Sequence, residues 1–176
     1  MKNIEIKAKV DNLDEIEKKV KELSNKPVIV IDQYDIFFNL PIAQANFGSK
    51  LKLRQFQDST GELIFYQRPD SKGPKLSVYS KIQLSGDKFQ ELKHILTMAN
   101  GIKGTVKKVR HLYIIDQTRI HIDHVIGLGN FIELEVVLDD TEDPNIGKEI
   151  AMKLMKDFGI SENCLLSEAY LDMMKL

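Results

Sequence analysis

Apolar and polar residues alternate one by one along most of this chain. In residues 1–10, Ile4, Ile6, Ala8 and Val10 fall on one face and Asn3, Glu5, Lys7 and Lys9 on the other. A period of two belongs to a β-strand, whose successive side chains point to opposite sides. The same signal recurs over 28–38, 50–56, 62–69, 76–84, 105–115, 118–126 and 130–138, so eight strands are predicted. Most are joined by short links with turn chemistry, such as Asp58-Ser-Thr-Gly61 and Gly127-Leu-Gly129. Short links imply antiparallel neighbours.

Three amphipathic helices interrupt the strands. Residues 13–24 carry Leu13, Ile16, Val20 and Leu23 on one face, after the cap candidates Asp11 and Asn12. Residues 87–99 carry Phe89, Leu92, Ile95 and Leu96. Residues 144–158 open with Pro144 after Asp143 and stop at Gly159, which is helix punctuation. A short helix is expected near 166–174. The fold class is α+β, one antiparallel sheet with helices packed outside it.

At 176 residues, with no repeat or linker, the chain reads as a single domain over 1–176. Its 25 basic and 26 acidic residues leave a net charge of −1, which argues against a general nucleic-acid partner. One cysteine, Cys164, excludes a disulfide framework and a cysteine-based zinc site. No apolar run approaches the roughly 18 residues of a membrane span. The N-terminus, Met-Lys-Asn-Ile-Glu-Ile-Lys, is charged where a signal peptide needs an apolar stretch. The expectation is a cytoplasmic protein without a membrane partner, as monomer or homodimer.

The polar faces of five strands carry nearly pure acid or base pairs. Lys52 and Arg54 share a face, as do Lys108 and Arg110; Arg119, His121 and Asp123 share another. Glu133 and Glu135 lie together on the last strand, with Ile132, Leu134, Val136 and Leu138 opposite. Two like charges at that spacing repel, so something cationic is expected over them. Two architectures fit. One is a sheet with a wet face, common among antiparallel sheets. The other closes the sheet into a barrel with these side chains inside, eight strands being about enough to enclose one small ligand. Charges inside a barrel need pairing or a ligand, because unpaired buried charge is costly. Carboxylates without cysteine favour hard cations such as Mg²⁺ or Mn²⁺. Clustered Arg and Lys favour phosphate oxygens. A metal-chelated polyphosphate satisfies both sets.

At this point the sequence resembles the CYTH-domain family of triphosphate tunnel metalloenzymes over nearly its whole length. The family's N-terminal Glu-x-Glu-x-Lys appears as Asn3-Ile-Glu5-Ile-Lys7, with Asn3 in place of the first Glu. Leu51-Lys-Leu-Arg54 resembles the family's basic strand, and Arg68-Pro-Asp-Ser-Lys-Gly-Pro-Lys75 the Arg/Lys segment after it. Lys108-Val-Arg110, Arg119-Ile-His-Ile-Asp123 and Phe131-Ile-Glu133-Leu-Glu135 match the later basic and acidic strands. The glycine-rich stretch before Glu133 looks most like the class IV adenylyl cyclase-type branch, with thiamine triphosphatases as relatives. The resemblance implies an eight-stranded antiparallel tunnel. It implies Glu5, Asp123, Glu133 and Glu135 as metal ligands. Lys7, Lys9, Lys52, Arg54, Arg68, Lys75, Lys108, Arg110 and Arg119 would hold phosphates, and Glu5, Lys7, Glu133 and Glu135 would serve catalysis.

The function expected from this is metal-dependent triphosphate hydrolysis, with ATP, thiamine triphosphate or tripolyphosphate as substrate. The alternatives are a class IV adenylyl cyclase making cyclic AMP, and a polyphosphate- or nucleotide-binding module without catalysis. Asn3 brings an amide oxygen but no charge, which weakens any second metal site built on it. His121 reads as a hydrogen-bonding residue on the charged face, with proton transfer as the rival role. Tyr79 and Lys81 have no assignable face. Cys164 reads as a packing residue.

Overall fold

The structure of the chain, a computed structural model, describes residues 1–45 and 48–174. Eight strands form: β1 (Lys2–Lys9), β2 (Ile29–Phe38), β3 (Ser49–Phe56), β4 (Gly61–Gln67), β5 (Lys75–Leu84), β6 (Ile102–Ile115), β7 (Thr118–Val125) and β8 (Gly129–Leu138). They close into a barrel in the order β1-β5-β4-β3-β2-β6-β7-β8. β1 completes the ring by pairing antiparallel with both β5 and β8, so that Glu5 stands opposite Lys75 on one side and Glu135 on the other. Of the two architectures open to the sequence, the closed one forms. β6 begins three residues earlier than its alternation signals, because Gly104 interrupts the pattern near its start.

The helices are α1 (Leu13–Leu23), α2 (Ile42–Ala45), α3 (Gly86–Asn100), α4 (Pro144–Phe158) and α5 (Tyr170–Met173), with a 3₁₀ turn at Glu162–Cys164. α4 starts where its signals place it: the Asp143 side chain accepts a hydrogen bond from the Asn145 backbone N–H. It ends at Gly159 in the left-handed region, φ 73°. α2, one turn long, is too short for a periodic signal. The helix expected over 166–174 is confined to α5. The chain before it is extended, with Leu166 N–H donating to the Lys7 carbonyl at 2.9 Å. Among the described residues no helix is long and apolar enough to cross a membrane.

The core lies outside the barrel wall. Ile4, Ile6, Ile120, Ile122, Leu134 and Val136 point outward, beneath Ile16 and Val20 of α1 and Ala151, Leu154, Met155 and Phe158 of α4. Each of these side chains other than Ala151 contributes about 1.5–3 kcal/mol on burial. Gly147 lets α4 approach closely, since a Cβ there would lie 2.7 Å from Ile4 Cγ1. On another side Phe89 of α3 packs on Ile36, Phe38 and Leu53. A third cluster, Phe37, Val106, Val125, Phe131, Tyr170 and Leu171, is the exception: its strand residues lie on the inward faces and close one end of the barrel against α5. With the apolar faces turned out under helices, alternation leaves the charged faces inside.

Candidate functional site in the barrel lumen

The lumen holds a cavity of about 310 Å³. Among the described residues, eight cationic side chains line it: Lys7, Lys52, Arg54, Arg68, Lys81, Lys108, Arg110 and Arg119. Five carboxylates face them, from Glu5, Asp35, Glu62, Glu133 and Glu135. The lining therefore carries a cationic surplus, although the chain as a whole is near neutral.

The acids sit in separate ion-pair groups. On the β7–β8 side, His121 Nδ1 lies 3.6 Å from Glu133 Oε2 and 3.6 Å from Glu135 Oε1. Ligand-capable atoms of these three residues lie within 4.8 Å of one another. His121 Nδ1 is buried without a hydrogen-bond partner. Burial, and then the Arg110 charge, hold the imidazole below its ordinary pKa, so it is neutral at pH 7 and able to give a lone pair to a cation. Burial alone would raise the Glu133 carboxyl; Lys7, Lys108 and Arg110 outweigh it and hold the group well below the usual carboxylate range. Two carboxylates and one unpartnered imidazole fit a metal ion.

Asp123 does something different. It is fully buried and accepts from Lys108 Nζ at 2.8 Å, from Arg110 Nε and Nη2 at 2.6 Å each, and from the Tyr170 hydroxyl at 3.0 Å. Its carboxylate is consumed in aiming Lys108 and Arg110 inward, and it does not line the cavity. Asp35 plays the same part for the basic strand, accepting from Lys52 at 2.9 Å and from Arg54 at 2.7 and 2.9 Å. Burial pushes the Lys52 ammonium down to about 8, with Arg54 adding to the effect and Asp35 opposing it. Glu5 pairs with Arg68 at 2.8 Å. Lys7 Nζ lies 3.2 Å from Glu133 and 3.9 Å above the Tyr170 ring, and burial lowers its pKa to about 8. At the other end Arg119 bridges Glu135 at 2.9 Å and the Tyr79 hydroxyl at 3.3 Å.

Of the residues singled out from sequence, Glu5, Lys7, Lys52, Arg54, Arg68, Lys108, Arg110, Arg119, Glu133 and Glu135 line the cavity. Lys9, Lys75 and Asp123 do not. Lys9 is exposed at the end of β1, opposite Phe131 and so beyond the apolar cluster that Phe131 forms with Tyr170. Lys75 is buried and donates to the carbonyls of Ser71 and Ser167. Asn3 is in the lining, with a buried, unpartnered Oδ1. Tyr79 and Lys81 face inward. Asp35, Glu62, Tyr66 and Tyr170 were not anticipated. Asp35 was legible in principle: it shares a strand face with Gln33, between the apolar Ile31 and Phe37. Tyr170 gives no local signal, because it reaches the lumen from the chain's end.

The model of the CYTH domain matches residues 1–170, and the chain belongs to that family. It is 27% identical over 179 residues to a Methanocaldococcus jannaschii protein named "Putative adenylate cyclase MJ0240", covering 98% of each. The fold resembles the PH1012 protein from Pyrococcus horikoshii OT3, with TM-score 0.81, 21% identity, and 97% of this chain and 98% of that one covered. It also resembles HpAC1 from Hippeastrum, an adenylyl cyclase by name that is described as having a dominant triphosphatase activity. There the TM-score is 0.65 and the identity 16%, with 99% and 96% covered.

Proposed function

We propose that the chain is a divalent-metal-dependent enzyme that hydrolyses a triphosphate. The observation that carries this is the cationic surplus of an enclosed lumen, set against one acidic trio with an unpartnered imidazole. A triphosphate supplies the missing negative charge, and a metal ion answers the trio.

Lys52 and Arg54 are held by Asp35 within the lining, and Lys108 and Arg110 by Asp123 behind it; all four cations face the cavity. They are preorganised to grip phosphate oxygens and spread developing charge without moving. Lys7 and Arg110 are paired with Glu133 in the resting arrangement. Phosphate oxygens offer both cations a stronger partner, which frees the Glu133 carboxylate. Mg²⁺ or Mn²⁺ on His121, Glu133 and Glu135 would polarise a phosphoryl oxygen and lower the pKa of water there. Glu133, ionised at neutral pH, accepts a hydrogen bond from the attacking water and orients it. The water oxygen bonds to phosphorus and gives up one proton through the Glu133 carboxylate to solvent, the P–O–P link breaks, and the leaving phosphate keeps the electron pair, stabilised by the basic strands.

Cyclisation of ATP to cyclic AMP and pyrophosphate is the second reading, favoured by the name of the archaeal relative. Incubating purified protein with ATP, thiamine triphosphate or tripolyphosphate, each with Mg²⁺ or Mn²⁺, and resolving the products by chromatography separates the two. Orthophosphate release is expected; cyclic AMP would favour the cyclase. Metal-dependent binding without turnover on any triphosphate would leave a binding module.

A further inference from the structure

We propose that Tyr170 is a positioning residue of the phosphate site: its ring sets the Lys7 and Lys108 ammoniums at the closed end of the lumen, so the C-terminal segment, and not the barrel alone, completes that site. This rests on the triphosphate reading above and adds a residue that the strands do not supply.

Tyr170 enters the lumen from α5 and is buried there. Lys7 Nζ stands 3.9 Å from the centroid of its ring and Lys108 Nζ 4.9 Å from it. Both lysines are buried, and their like charges oppose one another. An aromatic face attracts a cation, more strongly where water is excluded. One ring thus offsets the repulsion between two ammoniums and keeps both at the lumen. Their other contacts involve the same segment. Lys108 donates to Asp123 Oδ2 at 2.8 Å, and the Tyr170 hydroxyl donates to the same oxygen at 3.0 Å. Lys7 lies 3.2 Å from Glu133 and donates to the carbonyl of Glu168 at 3.1 Å. Glu168 and Tyr170 together therefore hold Lys7 from the C-terminal segment. Apolar bulk alone would close this end, as Phe37 and Val106 do beside the ring; only an aromatic face also serves two buried cations.

The ring is anchored along the chain on both sides. Before it, Leu166 N–H donates to the Lys7 carbonyl at 2.9 Å, and Lys75 donates to the Ser167 carbonyl at 3.0 Å. After it, Leu171 packs so closely on Gly104 that a Cβ there would lie 2.6 Å from Leu171 Cδ1. Asp172 pairs with Lys50 at 2.8 Å. Phe131 meets the ring edge-on, with centroids 4.9 Å apart. These anchors stand on β1, β3, β5, β6 and β8. They fix the ring in advance, so phosphate oxygens meet two cations already in place. Lys75, which does not line the cavity, acts on the site through the segment that carries Tyr170.

The test is calorimetric titration of the full chain with tripolyphosphate and Mg²⁺ in wild type, Tyr170→Phe and Tyr170→Leu, beside denaturant unfolding of each. Phe keeps the ring and gives up the hydroxyl that donates to Asp123; Leu keeps apolar filling and gives up the ring. Tyr170→Phe is expected to be less stable than wild type, because Asp123 loses a donor. It should nevertheless bind within about twofold of wild type, since both cation–ring contacts remain. Tyr170→Leu is expected to bind about tenfold more weakly. A packing role alone would make affinity follow stability, which the Phe variant separates. If Tyr170→Leu does not fold by circular dichroism, Tyr170→Met takes its place. Equal affinity of the Phe variant and the variant without a ring would overturn the inference while leaving the triphosphate reading standing. No binding of tripolyphosphate by wild type would overturn the triphosphate reading itself, and this inference with it.

Discussion

Arg110 is shared between two carboxylates with different duties. Its Nε and Nη2 grip Asp123 at 2.6 Å each, and Nη2 also reaches Glu133 Oε2 at 2.6 Å. Asp123 is sealed from solvent, whereas Glu133 faces the cavity. One guanidinium thus links the supporting framework of the lumen to its cavity-facing wall.

Removing Asp123 should therefore register as a loss of stability. Asp123→Ala leaves Lys108 and Arg110 buried without their shared counter-charge, which costs about 3–5 kcal/mol. Denaturant unfolding of this variant beside Glu135→Gln checks it. Glu135 pairs with the partly exposed Arg119, so its loss should cost much less. Equal destabilisation of the two variants would contradict the separation of roles.

The fold was legible because one rule, period two, runs through most of the strands, and a face apolar under helices obliges the other face to be polar. The faces of Glu5, Lys7, Lys52, Arg54, Lys108, Arg110, Glu133 and Glu135 followed from alternation alone. Which of them would pair did not follow. Pairing depends on the stagger between strands around the ring, and that stagger places Asp123 behind Arg110 rather than beside Glu5. The role of His121 was hidden for the same reason: its relation to Glu133 is a cross-strand register, Nδ1 unpartnered, seen only once β7 lies on β8. Lys9 shows the limit of alternation, which assigns a face but not how far along the barrel the cavity reaches.

Divalent-cation binding should depend on the β7–β8 trio. Glu133→Gln, Glu135→Gln and His121→Ala are each expected to weaken Mn²⁺ binding at least about tenfold, measured by electron paramagnetic resonance of free Mn²⁺. Asp123→Asn should weaken it less. Asn3→Glu, which adds a lumen carboxylate near Glu5, is expected to raise Mn²⁺ affinity or stoichiometry.

Binding and stability should run in opposite directions with pH at Lys52. With its pKa in the folded protein at about 8, Lys52 loses charge above neutrality, and triphosphate affinity should fall between pH 7 and 9. The unfolded chain keeps this proton up to its ordinary value of 10.5. Between these values the unfolded state holds more protons, so the contribution of Lys52 to stability rises with pH. Lys52→Arg should reduce the pH dependence of binding, since a guanidinium stays charged, and the remainder is expected from Lys7, whose pKa is also about 8. Calorimetric titrations at pH 7 and 9 with both proteins decide this.

The central claim is that the lumen cations, acting together with a metal ion, receive a triphosphate. Calorimetric titration with tripolyphosphate, with and without Mg²⁺, tests it in wild type and in Arg54→Ala, a variant that keeps Asp35 paired with Lys52. The account predicts one-to-one binding that Mg²⁺ strengthens and that Arg54→Ala weakens by about 10- to 100-fold. Absence of binding, or binding indifferent to both Mg²⁺ and Arg54, would contradict it.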